Sequence, residues 1–285
     1  MFLVTGASGQ LGSELRGLLA DRAVYAGRAD LDITDESAVR AFFATRQFEA
    51  VINCAAYTAV DKAEDNAASA DRSNRLGAAL LARYGRRVIQ ISTDYVFDGT
   101  AHLPYREEDT PHPVSVYGRT KLAGEKAVLA EAESAVIIRT SWLYSAFGVN
   151  FVKTMRRLGS ERDRLGVVFD QVGTPTYAAD LAAAVVAILP QITPGMKEVY
   201  HYSNEGVASW YDFAVAIMAQ SGLSCTVTPI ESTAYPTRAV RPAYSVLNKV
   251  KIKTAFGLTI PHWMDGLKRC VKVMERQTRA KETAC

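Results

Sequence analysis

Cysteine is scarce in this 285-residue chain. Its four copies, at 54, 225, 270 and 285, form no C-x-x-C pair, and none stands near a histidine at a metal-ligand spacing. The four histidines (102, 112, 201 and 262) are equally scattered. A disulfide framework and structural zinc are therefore not expected; reduced thiols in a cytoplasmic protein are. Long apolar runs are missing too. The longest, from Leu181 to Leu189, has nine residues, under half of the roughly 20 that a spanning helix needs. The N-terminus passes from Met1-Phe2-Leu3-Val4 into glycine and serine without a basic stretch or a long apolar one, so no signal peptide is expected. Neither charge sign is in excess: 33 Lys and Arg against 30 Asp and Glu leave +3, too little and too evenly spread for a nucleic-acid surface. No internal repeat or low-complexity stretch occurs. What remains is an ordinary globular composition, 48% hydrophobic and 22% charged, with length for about two domains or one large α/β domain with additions.

Short apolar runs alternate with longer helical patterns through the first half. Strands are expected at 2–5, 23–26, 50–53, 87–92 and 135–139, and helices at 10–20, 35–46 (capped by Thr34), 74–84 and 117–130. Strands that are apolar throughout, separated by helices, predict a parallel sheet covered on both faces. The fold class is thus α/β, a Rossmann-type doubly wound sheet over residues 1–142. In such sheets ligands bind beyond the carboxyl ends of the strands, so a chemically active residue should follow a strand closely. The second half is less regular. A strand at 165–169, a helix at 177–189 stopped by Pro190, a strand at 199–202, a helix at 210–220 ending near Gly222 and a last helix at 263–277 suggest a smaller α/β substrate lobe over 143–285. Parts of 165–190 are expected to rejoin the first sheet, and the polar tail 278–285 to fray.

The first strand runs into Thr5-Gly6-Ala7-Ser8-Gly9-Gln10-Leu11-Gly12, with Gly6, Gly9 and Gly12 in the spacing G-x-x-G-x-x-G. A dinucleotide needs a tight turn, a backbone bare enough to touch pyrophosphate, and close packing of helix on strand. Glycine serves all three, and the helix N-terminus adds free N–H groups and positive potential. Where an NAD site carries a carboxylate for the ribose 2′-hydroxyl, the second strand here is followed by Gly27-Arg28. An arginine suits a 2′-phosphate, which favours NADPH; Asp30 and Asp32 close by leave NADH open.

A second constellation follows the strand at 87–92, which ends in Ser92-Thr93-Asp94-Tyr95; Tyr117 and Lys121 open a later helix, four residues apart and so on one face. A free tyrosine, with a pKa near ~10, is a poor acid–base group at neutral pH. A lysine ammonium one turn away is expected to favour the phenolate and bring the group into a useful range. Thr93 would hold a substrate oxygen against the Tyr117 hydroxyl, and Lys121 would also hold the nicotinamide ribose.

With these residues in view, the chain resembles the extended short-chain dehydrogenase/reductase family, whose signature pairs G-x-x-G-x-x-G with Y-x-x-x-K. Three runs are similar to those of the dTDP-4-dehydrorhamnose reductases: Gly6-Ala7-Ser8-Gly9-Gln10-Leu11-Gly12, Ser92-Thr93-Asp94-Tyr95-Val96-Phe97-Asp98-Gly99 and Tyr117-Gly118-Arg119-Thr120-Lys121-Leu122-Ala123-Gly124-Glu125. The likeness continues through Arg139-Thr140-Ser141-Trp142-Leu143-Tyr144, Asn150-Phe151, Asp170-Gln171-Val172-Gly173-Thr174-Pro175-Thr176 and Arg241-Pro242, to about Lys272. It implies reduction of the 4-keto group of dTDP-4-dehydro-L-rhamnose by NADPH or NADH. It also implies Gly9, Gln10 and Leu11 at the pyrophosphate, with Asp30 and Leu31 beside the adenosine. Ala56, Tyr57 and Thr58 would line the nicotinamide side, Thr93, Asp94 and Tyr95 the sugar; Tyr117 would donate the proton and Trp142 pack on the substrate. Independently, the small Ala55-Ala56 after a strand would let a cofactor approach the backbone. Trp142 offers a broad face to a pyranose or to a core. Arg241 suits a diphosphate or an interdomain salt bridge. The resemblance also implies magnesium held by acids at a dimer interface. Glu14 stands at one such place, but the Ala-rich helix after Asp180 lacks paired acids, so no metal is expected. A dTDP-sugar is the expected partner, without nucleic acid or membrane, and a homodimer is compatible.

Two other readings compete. A 4,6-dehydratase of the same superfamily resembles this chain but places Asp-Glu after the threonine; here Asp94 is followed by Tyr95, and the second acid–base group is missing. A non-catalytic subunit resembling the β subunit of methionine adenosyltransferase shares the S-D-Y-V-F-D-G-type and Y-G-x-T-K runs, as would a reductase of another nucleotide keto-sugar.

Overall fold

The computed structural model describes residues 1–283. Its centre is a parallel sheet. Strands β1 (Phe2–Thr5), β2 (Ala23–Ala26), β3 (Val51–Asn53), β4 (Arg87–Thr93) and β5 (Ser134–Thr140) lie in the order β2-β1-β3-β4-β5, and the strand Lys197–His201 adds beside β5. Neighbouring side chains along a strand point to opposite faces, and here both faces are dry. Leu3, Val51, Val88 and Ala135 enter one core; Val4, Ile52, Ile89 and Val136 enter the other. That is why these strands are apolar throughout rather than alternating. Helix Gln10–Leu19 covers one face with Leu11, Leu15 and Leu19, spaced four apart, together with Leu181, Val185 and Ile188 of helix Ala178–Ile188. The other face is covered by Val39 of helix Glu36–Ala44, Leu80 and Leu81 of Ala78–Gly85 and Val128 of Val116–Glu131. Each such buried side chain contributes roughly 1.5–3 kcal/mol. The chain reverses winding between β1 and β3, so the crevice beyond their carboxyl ends is the place for a ligand.

A separate core holds the lobe. Helices Phe151–Glu161, Trp210–Ser221 and Trp263–Thr283 pack on a two-stranded parallel sheet of Arg164–Val168 and Thr226–Ile230. Their starts are fixed locally. The Asn150 side chain accepts from Lys153 N, and Ser209 with Asp212 forms a reciprocal capping box. Short pairings of Leu143–Tyr144 with Thr176–Tyr177, and of Val172–Gly173 with Ala208–Ser209, join the lobe to the sheet. No helix among the described residues is long and apolar enough to cross a membrane.

Several expectations need correction. Asp35, not Thr34, caps the second helix, because its carboxylate accepts from Ser37 N and Ala38 N. Helix begins long before 74: Val60–Asp65, Ala67–Asp71 and a π-helical turn Arg72–Gly77 precede Ala78–Gly85. Part of 165–190 does return to the central sheet as expected, namely the helix Ala178–Ile188, whereas Arg164–Val168 pairs inside the lobe and the strand added at the sheet edge is Lys197–His201. The last helix is assigned through Thr283, past the start of the polar tail at 278; residues 284 and 285 of that tail, Cys285 included, lie outside the described residues.

Candidate active site

The glycine turn is built against the neighbouring strand. Gly6 has φ +64°, and a Cβ there would stand 2.6 Å from Ala55 N; one on Gly12 would stand 2.5 Å from Gly6 O. These contacts hold the turn flat on the carboxyl end of β3. Gly9 caps the following helix without any side-chain bond, and the first turn carries no acid. Ser8 and Gly9 are exposed, and no side-chain cap claims the first N–H groups of the helix. A bare turn, a close backbone and an uncapped helix start fit a pyrophosphate. The side chains of Gln10 and Leu11 point elsewhere. Gln10 bonds Leu143 O at 3.3 Å and accepts from Asn150 at 3.0 Å, and Leu11 lies in the core; only their backbones face the turn. Leu31 is likewise a core residue. Arg28 is exposed beyond β2 and acts on Asp32, while the Asp30 carboxylate accepts from Gly27 N at 2.8 Å.

The floor between cradle and catalytic residues is a polar ladder across three strands. Thr5 donates to Asn53 Oδ1 at 2.7 Å, Asn53 donates to Gln90 at 2.7 Å, and Ala55 N reaches Asn53 Oδ1 at 3.1 Å. Ala55, Ala56 and Tyr57 are half-buried here and Thr58 is exposed. Asn74 in the π-helical turn braces this segment: it accepts from Tyr57 N at 2.8 Å and donates to Tyr57 O and to Thr120 Oγ1. Sequence reasoning missed Asn74, whose side chain is committed to a loop seventeen residues away.

Helix Val116–Glu131 is pressed onto this floor. Ser115 caps it, and a Cβ on Gly118 would stand 2.2 Å from Tyr95 O. Tyr117 and Lys121 consequently sit at the carboxyl end of β4, 9% and 4% exposed. Burial pushes the Tyr117 phenol up to about 12; the Thr93 hydroxyl bonds to it and opposes the rise, and the Asp94 carboxylate adds to it. Thr93 also donates to Asp94 Oδ1 at 3.0 Å and accepts from Tyr95 N. Burial raises Asp94 to about 6; its Oδ2 has no hydrogen bond, although the Ser245 hydroxyl is near enough to act on it. Burial also pulls Lys121 down to about 8, against the pull of Glu125. Its ammonium donates to Ile91 O at 2.6 Å. The side chains that act on Tyr117 here are Thr93 and Asp94. For Tyr117 and Lys121 alike desolvation is the largest influence.

Tyr95 meets Tyr117 edge to face at 5.6 Å. Trp142 is stacked on Trp210 at 3.6 Å and has φ +48°, a strained backbone for a side chain this large. Trp210 was not foreseen, because nothing in its local sequence marks it. Arg241 donates to Asp61 Oδ2 at 2.8 Å across the cleft, and its Nε is buried without a partner. Glu14 accepts from Ser145, and Asp180 is engaged by Arg269 and Asn204. Among the described residues no three metal-ligating side chains cluster.

The family described as the RmlD substrate binding domain matches residues 1–276. The dTDP-4-dehydrorhamnose reductase of Aggregatibacter actinomycetemcomitans is 42% identical, over 93% of this chain and 96% of its own length. Two solved structures are also similar. A dTDP-4-dehydrorhamnose reductase from Clostridium acetobutylicum has a TM-score of 0.92 at 42% identity, covering 96% of this chain and 99% of that one. Another, from Bacillus anthracis in complex with NADP, has 0.91 at 37%, covering 94% and 97%. With sheet, cradle and lobe all inside the matched span, the chain belongs to the RmlD substrate binding domain family.

Proposed function

We propose that the protein reduces the 4-keto group of dTDP-4-dehydro-L-rhamnose to give dTDP-L-rhamnose, with NADPH as reductant and NADH as a weaker substitute. The observation that carries the reading is the convergence of Tyr117, Thr93 and Lys121, all buried, one strand beyond the floor of the glycine turn. NADPH, when held by the glycine turn and Lys121, would supply the hydride for the carbonyl carbon. The chain supplies the proton to the oxygen. A phenol raised to about 12 is fully protonated at neutral pH, which is the state a donor needs in a reduction, and the incoming alkoxide is basic enough to take its proton. Thr93, bonded to Tyr117, fixes the oxygen in line. Lys121 would hold the ribose of the coenzyme and supply a positive charge there. Gly6, Ser8, Gly9 and Gly12 bind the pyrophosphate through backbone, Arg28 reads the 2′-phosphate, and Asp30 and Leu31 bound the adenosine. Asp94 and Tyr95 meet the sugar and Trp142 offers it a fixed apolar face. Arg241, released from Asp61, answers the diphosphate. The same reading takes the enzyme as cytoplasmic and compatible with a homodimer.

The test is NADPH oxidation with enzymatically made dTDP-4-dehydro-L-rhamnose, run beside epimeric and differently deoxygenated 4-keto sugars. Preferred turnover of the first supports the reading. Preference for another sugar reassigns the substrate, and absence of oxidation with every sugar points to a binding subunit.

A further inference from the structure

The reductase reading uses Lys121 but leaves unexplained the buried charges behind it. Glu125, one helical turn on, is 2% exposed, and Arg139 is 4% exposed. The Arg139 guanidinium donates to both Glu125 oxygens, Nη2 to Oε2 at 2.8 Å and Nε to Oε1 at 3.0 Å, and the Ser92 hydroxyl donates to Oε1 as well. Ser92, Arg139 and His201 are register partners across β4, β5 and the edge strand. They form one row near the carboxyl end of the sheet, and Glu125 descends on it from the helix above. His201 is neutral: its Nδ1 stands 3.1 Å from Tyr105 O and must donate, leaving Nε2 to face Arg139 at 3.4 Å.

Three ionised groups in a dry interior are poor stabilisers, since well-packed apolar side chains generally do as well or better. A role tied to charge is therefore the better account. Glu125 is the carboxylate that acts on Lys121. The other titratable group facing the ammonium is the Cys54 thiol, which burial holds at about 12 and hence neutral. We propose that Glu125, locked by Ser92 and Arg139, is a positioning residue of the reductase: it keeps the Lys121 side chain an ammonium, docked on the Ile91 carbonyl at the coenzyme floor. Arg139 in turn fixes the Glu125 carboxylate with donors to both of its oxygens. Burial pulls Lys121 down to about 8 even with Glu125 acting against it, so loss of that carboxylate, one helical turn away on the same face, should lower the ammonium's midpoint further. The rate consequence rests on the proposed reductase function; the charge consequence does not.

The test reads both. Lysines labelled with carbon-13 at Cε are titrated by NMR in the coenzyme-free protein, with Lys121 assigned by its loss in Lys121→Met. Glu125→Gln should lower the Lys121 midpoint by about one pH unit or more. Because that variant strands Arg139, Glu125→Gln/Arg139→Met, which removes both charges, is titrated alongside and should shift the same way. In NADPH oxidation, the alkaline fall in kcat should move down by the same interval, with rates near wild type on the acid side. An unchanged Lys121 midpoint in both variants overturns the proposal, and so does a loss of kcat by one constant factor at every pH. If wild type reduces no keto-sugar while the midpoint still moves, the charge relation stands and the functional reading falls.

Discussion

Asp94 bears on the protonation of Tyr117. The carboxylate raises the phenol, and the two meet through the Thr93 hydroxyl, which bonds to both. Asp94→Asn removes that charge, so the Tyr117 phenolate should form at lower pH than in wild type, by about one unit or less; ultraviolet difference titration checks it, and an unmoved or raised midpoint contradicts the coupling. Arg28 is a simpler case. It is exposed, with no hydrogen bond or ion pair engaging it among the described residues, so Arg28→Ala should cost NADPH about tenfold in affinity and leave NADH nearly unchanged. Equal weakening of both coenzymes, measured by fluorescence titration, removes the 2′-phosphate from its role. At this scale the residue types were legible and their electrostatics were not. The spacing of Tyr117 and Lys121 is written in the chain, but the desolvation that governs both comes from strands remote in sequence.

Elements approach closely where the chain has glycine. Gly118 lets the helix Val116–Glu131 lie against Tyr95 O, and Gly124 lets it lie against Asn74 O, where a Cβ would stand 2.1 Å away. Neither contact is with the end of a flexible side chain, so the backbone must move. Gly118→Ala should therefore destabilise the protein by about 2 kcal/mol or more and displace Tyr117. Gly17 is the control: it lies within an exposed stretch of helix Gln10–Leu19 with nothing within 4 Å of an added Cβ. Gly17→Ala should stabilise by roughly 0.5–1 kcal/mol. Urea unfolding of the two variants decides the matter; similar effects at both positions would contradict the packing described. The glycine turn at 6–12 could be read from sequence because strand, glycines and helix come in order. The use of Gly118 and Gly124 could not, since the atoms they make room for lie in other elements. For the same reason Asn74 and Trp210 were silent, and the helix Val60–Asp65 that carries Asp61 was not foreseen.

For the molecule as a whole, the row of buried polar groups makes stability depend on acid. Burial and the Arg139 charge hold His201 at about 3, below the ordinary value near 6.5. The unfolded chain therefore binds the proton first. Stability from this group is present above pH ~6.5 and is lost as pH falls toward the folded value, by at most about 1.4 kcal/mol per unit. Asp94 acts in the opposite sense. Its folded value of about 6 means that the folded state binds the extra proton between there and the ordinary ~4. The His201 contribution is isolated by difference: the stability gap between wild type and His201→Gln should narrow as urea unfolding is repeated from pH 7 down to about 4.5. A gap constant with pH contradicts a buried neutral imidazole. The sheet itself was legible from apolar strands and their helices, but the return of Lys197–His201 to its edge was not, because a short strand carries no mark of which sheet it joins.

The central claim is that Tyr117 gives the proton in a hydride reduction of a nucleotide keto-sugar, and Tyr117→Phe tests it most directly. The ring and its packing survive and the proton does not. With dTDP-4-dehydro-L-rhamnose and NADPH, the account predicts a loss of kcat of about a hundredfold or more, with NADPH affinity unchanged. Turnover within a few-fold of wild type would contradict it.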